Sequence, residues 1–263
     1  MLTSLQNAWI KQFRKLHQAK YRRAQQQFLL EGTHLIQEAM AAQQPLLGVC
    51  ATLRWQEHHQ ALWKQLQNCT KRQELVTPEV MGAIVTTATP DGVVAIAPQP
   101  IWQPSFQRVP QLGIALEMLQ DPGNLGTVIR TAAAVNSDGI WLSEGSVDLT
   151  HPKVLRASAG QWFRVSKQMT SDLGANLSSW RSEGCQVLAT AAEGSIPYWS
   201  VDFKVPTVLI LGNEGAGLSP QISAIASQVI SIPMANNVES LNVGVAAAVI
   251  LFEALRQRQS MAS

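Results

Sequence analysis

Cysteine is scarce. Cys50, Cys69 and Cys185 are three in number and widely scattered, so no disulfide framework or thiolate metal site is spelled out. Free thiols in a reducing compartment follow. The five histidines show no metal-ligand spacing, and the adjacent pair His58 and His59 reads as solvent-facing. No GxGxxG follows a strand pattern and there is no P-loop, which takes support from dinucleotide enzymes, ordinary Rossmann methyltransferases and P-loop NTPases. The longest apolar run, 243–252, is far short of the ~20 residues that a membrane span needs. The opening stretch MLTSLQNAWIKQFRK lacks the apolar core of a secretory leader. No internal repeat or low-complexity tract is present. The expectation is a cytoplasmic protein with no metal and no membrane partner.

What is present describes a folded chain. Hydrophobic residues make up 46% and charged residues 14%, which excludes a disordered chain. At 263 residues there is room for two domains and a sizeable core. The net charge of +2 hides an asymmetry. Residues 1–72 hold ten Lys/Arg against three Asp/Glu, net +7, and residues 73–263 hold ten against fifteen, net −5. A basic first domain ahead of a mildly acidic second one points to a polyanionic partner for the first.

Residues 4–27 read as helical and basic. Lys11, Arg14 and Lys15 share a face by i, i+3, i+4 spacing, and Lys20, Arg22 and Arg23 follow around Tyr21. A solvated helix face and a phosphate-contacting patch are the two readings. The second is favoured because the next acid is Glu31. Short strands are expected at 28–30, 46–50, 74–77 and 93–97. Helices are expected at 34–42, with Thr33 as N-cap, at 57–66, and after Thr77 with Pro78 at N1. Residues 1–97 thus form a small α/β domain. Four prolines in 98–110 forbid a helix or central strand and mark a semi-extended linker.

From 111 the alternation resumes as a second domain, 111–263. Strands are expected at 112–119, 139–143, 162–165, 186–190, 207–211 and 229–232. Helices are expected at 124–135 with Asn124 as N-cap, at 151–159, at 171–182 and from about Ser240. The runs 207–211 and 229–232 are Val/Ile/Leu-rich without alternation, as parallel strands covered on both faces are. Each breaks into a polar turn, GNEGAG at 212–217 and PMANN at 233–237. Ligands of open α/β sheets bind beyond the carboxyl ends of the strands, so these turns outline a site. Glu214 there is a water-exposed turn carboxylate or a ligand-facing acid. Ser240 and Asn242 are N-caps or site residues. Arg130, six residues after Asn124, is a surface Arg or a bidentate holder of phosphate or ribose.

Three stretches carry a resemblance. LQDPGNLGTVIRTAAA at 119–134, GNEGAGLS at 212–219, and ISIPM with VESLNVGVAAA at 230–248 resemble, in order and spacing, the three motifs of the SpoU (TrmH-like) family of RNA 2′-O-ribose methyltransferases within the SPOUT superfamily. FLLEGTHLIQEA and TPDGVVAIA resemble, more loosely, the α/β substrate-binding domain that precedes some SpoU catalytic domains and is itself similar to a ribosomal-protein RNA-binding fold.

The resemblance implies an α/β catalytic domain with a parallel sheet and a trefoil knot, acting as a homodimer. It implies S-adenosyl-L-methionine as methyl donor, held by backbone groups at Gly212, Ile232 and Leu241, with Thr190 added by position at the preceding strand end. It makes Asn124, Arg130, Glu214, Ser240 and Asn242 the catalytic residues and pairs Glu214 with Arg130. The family proposal gives Arg130 the role of base, against which stands a guanidinium pKa above ~12. A substrate phosphate on Arg130 can share the work. The basic residues Lys11, Arg14, Lys15, Arg22 and Arg23 then meet RNA. The two-domain layout favours ribosomal RNA over tRNA. The other classes are a non-catalytic RNA-binding protein, against which the intact motif residues speak, and a nucleotide-dependent oxidoreductase. The apolar helix after Ser240 has to be buried within the fold or against a partner.

Overall fold

The computed structural model of the chain describes residues 1–100, 108–192, 196–236 and 238–259. By contact it forms two compact units, Met1–Ile101 with Asp148–Phe163, and Trp102–Val147 with Arg164–Ser263. Most of the expected linker, 101–107, lies outside the described residues.

In the first unit α1 (Ala8–Lys15) and α2 (Ala19–Gln25) precede β1 (Gln27–Glu31) and α3 (Thr33–Ala41). Then come β2 (Gly48–Thr52), α4 (Leu53–His58), α5 (Gln60–Cys69), β3 (Gln73–Val76), α6 (Pro78–Ile84) and β4 (Val93–Pro98). The sheet order is β1-β4-β2-β3, antiparallel except for the parallel pair β2–β3. Ile10 and Phe13 from α1, Val80, Met81 and Ile84 from α6, and Cys50 and Val94 from the sheet share one core. Thr77 caps α6 as expected, its Oγ1 accepting from Val80 N, with Pro78 at N1.

Two expectations fail here. Thr33 does not cap α3: its own N–H donates to Asp91 Oδ2 at 2.5 Å, so the cap comes from 58 residues away. The helix expected at 57–66 is instead two helices meeting at His59, whose φ of −127° is not helical.

Asp148–Phe163 contributes a short helix, Pro152–Ala157, to this first unit. The second unit opens with β5 (Leu112–Leu116) and α7 (Pro122–Ala134), followed by β6 (Gly139–Ser143). After α8 (Pro152–Ala157) in the first unit, the second continues with β7 (Lys167–Thr170), α9 (Leu173–Ser182), β8 (Gln186–Thr190) and β9 (Ile196–Pro197). It closes with β10 (Thr207–Leu211), α10 (Pro220–Ile225), β11 (Gln228–Ser231) and α11 (Val243–Gln259). The sheet order is β7-β6-β5-β10-β8-β11-β9 with every pairing parallel. The strands β5 and β10 are buried at every residue, which explains their unbroken apolar runs. On one face Trp141 and Trp180 meet edge-on at 4.7 Å within a core that includes Leu177, Val208 and Ile210.

The strand expected at 162–165 is absent. Residues Gln161–Phe163 form a 3-10 turn, and the strand is Lys167–Thr170. Trp162 is an anchor in the first unit instead: its ring lies 5.2 Å from Phe28 and its Nε1 donates to Leu149 O at 2.8 Å. The helix α11 buries Gly244, Ala247, Ile250, Leu251 and Ala254 and leaves Val245 and Phe252 about half exposed. Among the described residues no helix is long and apolar enough to cross a membrane.

Candidate functional site

The site is built at the carboxyl ends of β10, β8 and β11, three neighbours in the all-parallel sheet. A cavity of about 440 Å³ opens there, a size that suits a small organic ligand. Thr190, Gly212, Ile232 and Leu241 all line it, as do Glu214, Ser240 and Asn242. Asn124 and Arg130 are not among its lining residues.

The glycine loop after β10 is folded back on itself. Asn213 N donates to Gly217 O at 2.9 Å and Gly217 N to Asn213 O at 3.0 Å. Asn213 Oδ1 accepts from Gly215 N and Ala216 N, while its Nδ2 donates to Met118 O. A Cβ at Gly212 would overlap the Gly217 carbonyl, and only glycine lets the two strands of this loop meet.

Three loops are tied by one directional chain of hydrogen bonds. Asn242 Oδ1 accepts from Gly244 N at 3.0 Å and Val245 N at 3.4 Å, capping α11. That leaves Asn242 Nδ2 to donate, and it does so to Asn124 Oδ1 at 2.8 Å. Asn124 Nδ2 then donates to Glu214 Oε1 at 3.0 Å. Each amide's orientation is set by its neighbour, because an oxygen cannot donate and an NH₂ cannot accept. Glu214 also accepts from Asp121 N at 3.0 Å and Gln120 N at 3.2 Å. Burial alone would raise the Glu214 pKa, but the donors Asn124, Asp121 and Gln120 outweigh it and hold the carboxyl below its usual range.

Asn124 is not the N-cap of its helix. Asp121 is: its Oδ1 accepts from Gly123 N at 2.6 Å and Asn124 N at 2.9 Å, with Pro122 at N1. The Asn124 side chain is thereby free for Glu214 and Asn242. Nor does Glu214 pair with Arg130. Its partners are those three donors, and Arg130 stands on the exposed side of α7. Ser240 lines the cavity but lies three residues ahead of α11, so the cap belongs to Asn242.

Sequence reasoning missed several residues that position these loops. Glu117, just past β5, accepts from Ser219 Oγ at 2.6 Å and Ser219 N at 2.8 Å. Met118 holds a φ of 52°, a conformation that costs an L side chain roughly 1 kcal/mol and is tied down by Ser143 Oγ, Gln120 Nε2 and Asn213 Nδ2. Glu239 lines the cavity as well. The one signal in the sequence was an acid at a strand's carboxyl end.

The basic residues of the first unit divide. Lys11, Arg14, Lys15 and Arg23 are exposed, and Lys15 and Lys20 lie 5.8 and 4.8 Å from the centre of the Tyr21 ring. Arg22 does not belong to the patch, being 1% exposed. Its guanidinium donates to Leu16 O, His17 O and, through Nε and one terminal nitrogen, to Asp148 Oδ2 at 3.0 and 2.6 Å. Burial works against the Asp148 charge, but Arg22 and Thr150 overcome it and lower that pKa. Arg22 is a buried structural cation, not a phosphate contact.

Among the described residues no group of three or more His, Cys, Asp or Glu is placed to hold a metal ion. The cavity's donor set is of another kind. Backbone groups at a glycine cradle and apolar walls from Leu211, Ile230, Met234 and Ile250 fit a nucleoside-bearing ligand.

Comparison with known proteins agrees in kind. Residues 111–252 match the SpoU rRNA Methylase family and residues 7–95 the MRM3-like substrate binding domain. The chain is 43% identical to an uncharacterized tRNA/rRNA methyltransferase of Synechocystis sp., over 98% of this chain and 94% of that protein. It is 30% identical to the 23S rRNA (guanosine(2553)-2′-O)-methyltransferase RlmP of Bacillus subtilis, over 95% and 97%. Its fold is similar to the SpoU methyltransferase AviRb of Streptomyces viridochromogenes in complex with AdoMet. That likeness has a TM-score of 0.86 and 27% identity, covering 97% of this chain and 99% of that one.

Proposed function

The chain belongs to the SpoU rRNA methylase family, and from that premise we propose that it transfers a methyl group from S-adenosyl-L-methionine to a ribose 2′-hydroxyl of RNA, with large-subunit ribosomal RNA as substrate. The observation that carries this reading is the cavity at the ends of β10, β8 and β11, lined by Thr190, Gly212, Ile232 and Leu241 and edged by Glu214 and Asn242. The B. subtilis relative supports the ribose and ribosomal RNA, and the AdoMet complex of AviRb supports the cofactor.

S-adenosylmethionine, when bound, supplies a methyl group activated by its sulfonium. The chain supplies position. Backbone groups at Gly212, Ile232 and Leu241 hold the nucleoside end, with Thr190 beside them. The Asn242–Asn124–Glu214 chain keeps the three loops in one arrangement, so the reacting hydroxyl meets a site that needs no reorganisation. Ser240 lies at the same mouth. Arg130 clamps the ribose or its phosphate bidentately. A guanidinium is a donor with no lone pair to take a proton, so the hydroxyl proton passes to a phosphate oxygen held by Arg130.

Residues 1–97 serve as the RNA-binding domain, through Lys11, Arg14, Lys15 and Arg23. Residues 98–110 connect it to the catalytic domain, 111–263. The catalytic domain is knotted, and it pairs as a symmetric dimer through exposed apolar residues of α11 such as Phe252. Calorimetry of the folded protein against S-adenosylmethionine and against NAD tests the cofactor assignment. Binding of the first and not the second is expected, and the reverse refutes it.

A further inference from the structure

The first unit holds a larger cavity than the one just described, about 740 Å³. It lies at the carboxyl ends of β2 and β3, the one parallel pair of that sheet. Leu53, Arg54, Trp55, His58, His59 and Met81 line it. Trp55 is its buried floor, and the Trp55 Nε1 already donates to Thr33 Oγ1 at 2.7 Å. His59 lies over Trp55 with centroids 4.7 Å apart and planes inclined by 15°, a stacked pair. Leu53 adds an apolar side chain that is 50% exposed.

The imidazoles have defined roles. His58 Nδ1 lies 2.6 Å from Arg54 O, and His59 Nδ1 lies 3.0 Å from Trp55 O. A carbonyl can only accept, so both Nδ1 atoms carry a proton, and the two Nε2 atoms are left for other partners. The cavity wall is also glycine-dependent. Gly92 has a φ of +105°, and a Cβ there would come within 2.9 Å of Thr52 Oγ1 and 3.0 Å of the Trp55 Cβ.

We propose that this cavity receives an unstacked nucleobase of single-stranded RNA, with the adjoining phosphate met by Arg54. A flat ring platform, apolar flanks, two imidazole Nε2 atoms for the polar edge of a base and the exposed Arg54 are what recognition of a splayed-out base requires. The charge around it agrees: the first unit carries twelve Lys/Arg against seven Asp/Glu. The lining carboxylate, Asp91, is engaged by Thr33 N. The proposal rests on the reading that this unit captures RNA, and it adds where and how a base is held.

The protein has seven methionines, which as labelled methyl groups give separate reporters in one spectrum. Met81 lines this cavity and Met234 lines the other. A mixed-sequence RNA pentanucleotide is expected to shift the Met81 resonance and leave Met234 in place. S-adenosylhomocysteine is expected to do the opposite. Failure of S-adenosylhomocysteine to move Met234 would count against the cofactor reading alone. An abasic pentamer with the same backbone should leave Met81 unmoved. Leu53→Ser and His59→Ala should each weaken pentanucleotide binding about five- to hundredfold, the range of one stacked base, with S-adenosylhomocysteine binding intact. His59→Phe should restore part of the loss by restoring the stack. An unmoved Met81 at millimolar pentanucleotide, or an equal shift with the abasic pentamer, overturns the proposal.

Discussion

In the second unit one carboxylate and two amides from three loops satisfy one another, whereas in the first unit Lys11, Arg14, Lys15 and Arg23 face water. The charges follow the same division. The first unit carries twelve Lys/Arg against seven Asp/Glu, and the second eight against eleven. The sheets differ too, mixed in the first and wholly parallel in the second. A parallel sheet brings several loops to one end and can build a preorganised polar site there. The exposed cations instead offer attraction that is long in range and weak in geometry, which suits a polymer met at many phosphates. The first unit has its own fixed polar contacts, but they are structural: Arg22 with Asp148, and Arg156 with Glu31 at 2.7 Å.

The largest effects are expected where that geometry is tightest. Gly212→Ala forces a methyl group into the Gly217 carbonyl. It should lower S-adenosylmethionine affinity more than a hundredfold in calorimetry, while RNA binding by the first unit stays near normal. Loss of both would erase the division between the units. Arg130→Ala and Arg130→Lys should each cut single-turnover methyl transfer by about 10²–10³, the scale for losing one charge-stabilising donor, with cofactor affinity unchanged. Near-normal turnover in Arg130→Ala would refute its assigned role.

Arg22→Ala tests whether the first unit's buried pair is structural. Breaking it leaves Asp148 poorly exposed without its cation, a loss of about 3–5 kcal/mol in denaturant unfolding. The sign with pH is fixed by the lowered Asp148 pKa. Its contribution is present above the unfolded value of about 3.9 and is lost as pH falls through the folded value below that. Wild-type stability should therefore drop in that acid window, and Arg22→Ala should flatten the drop.

Glu214→Gln should be milder. An amide oxygen in place of Oε1 keeps Asp121 N and Asn124 Nδ2, while its NH₂ faces Gln120 N. About a tenfold loss of turnover is expected, close to one hydrogen bond of ~1 kcal/mol. The smallest effect is that of replacing Lys11, Arg14 and Lys15 together by Ala. The slope of log affinity against log salt for single-stranded RNA should flatten by about 2, at roughly 0.7 per phosphate contact. An unchanged slope would assign the patch to solvent.

Much of this was readable from residues alone, for definable reasons. The runs 207–211 and 139–143 are strands within one residue of expectation, because burial on both faces leaves an unbroken apolar signature. All four cofactor candidates line one cavity, because turn residues after such strands have nowhere else to go. The misreadings share a cause, a partner distant in the chain. Arg22 resembles its basic neighbours in sequence, and only Asp148, 126 residues on, sets it apart. Trp162 looked like a strand residue, but its ring is spent on Phe28. Thr33 looked like a cap that Asp91 supplies. Asn124 is different. The Asp121-Pro122 pair carried the same cap-then-proline signal as Thr77-Pro78 and was legible locally. With Asp121 as the cap, the Asn124 side chain is available to Glu214.

Methyl transfer to a ribose hydroxyl leaves a mark that alkali reveals. A 2′-O-methyl group removes the nucleophile through which hydroxide cleaves the adjacent phosphodiester. The protein would be incubated with S-adenosylmethionine labelled in its methyl group and with ribosomal RNA from cells lacking the protein, and the RNA then hydrolysed completely. Label is expected in an alkali-resistant dinucleotide of the large-subunit RNA, and none with Arg130→Ala. Label recovered in mononucleotides, which places the methyl on a base, or no transfer by protein that binds the cofactor, would contradict it.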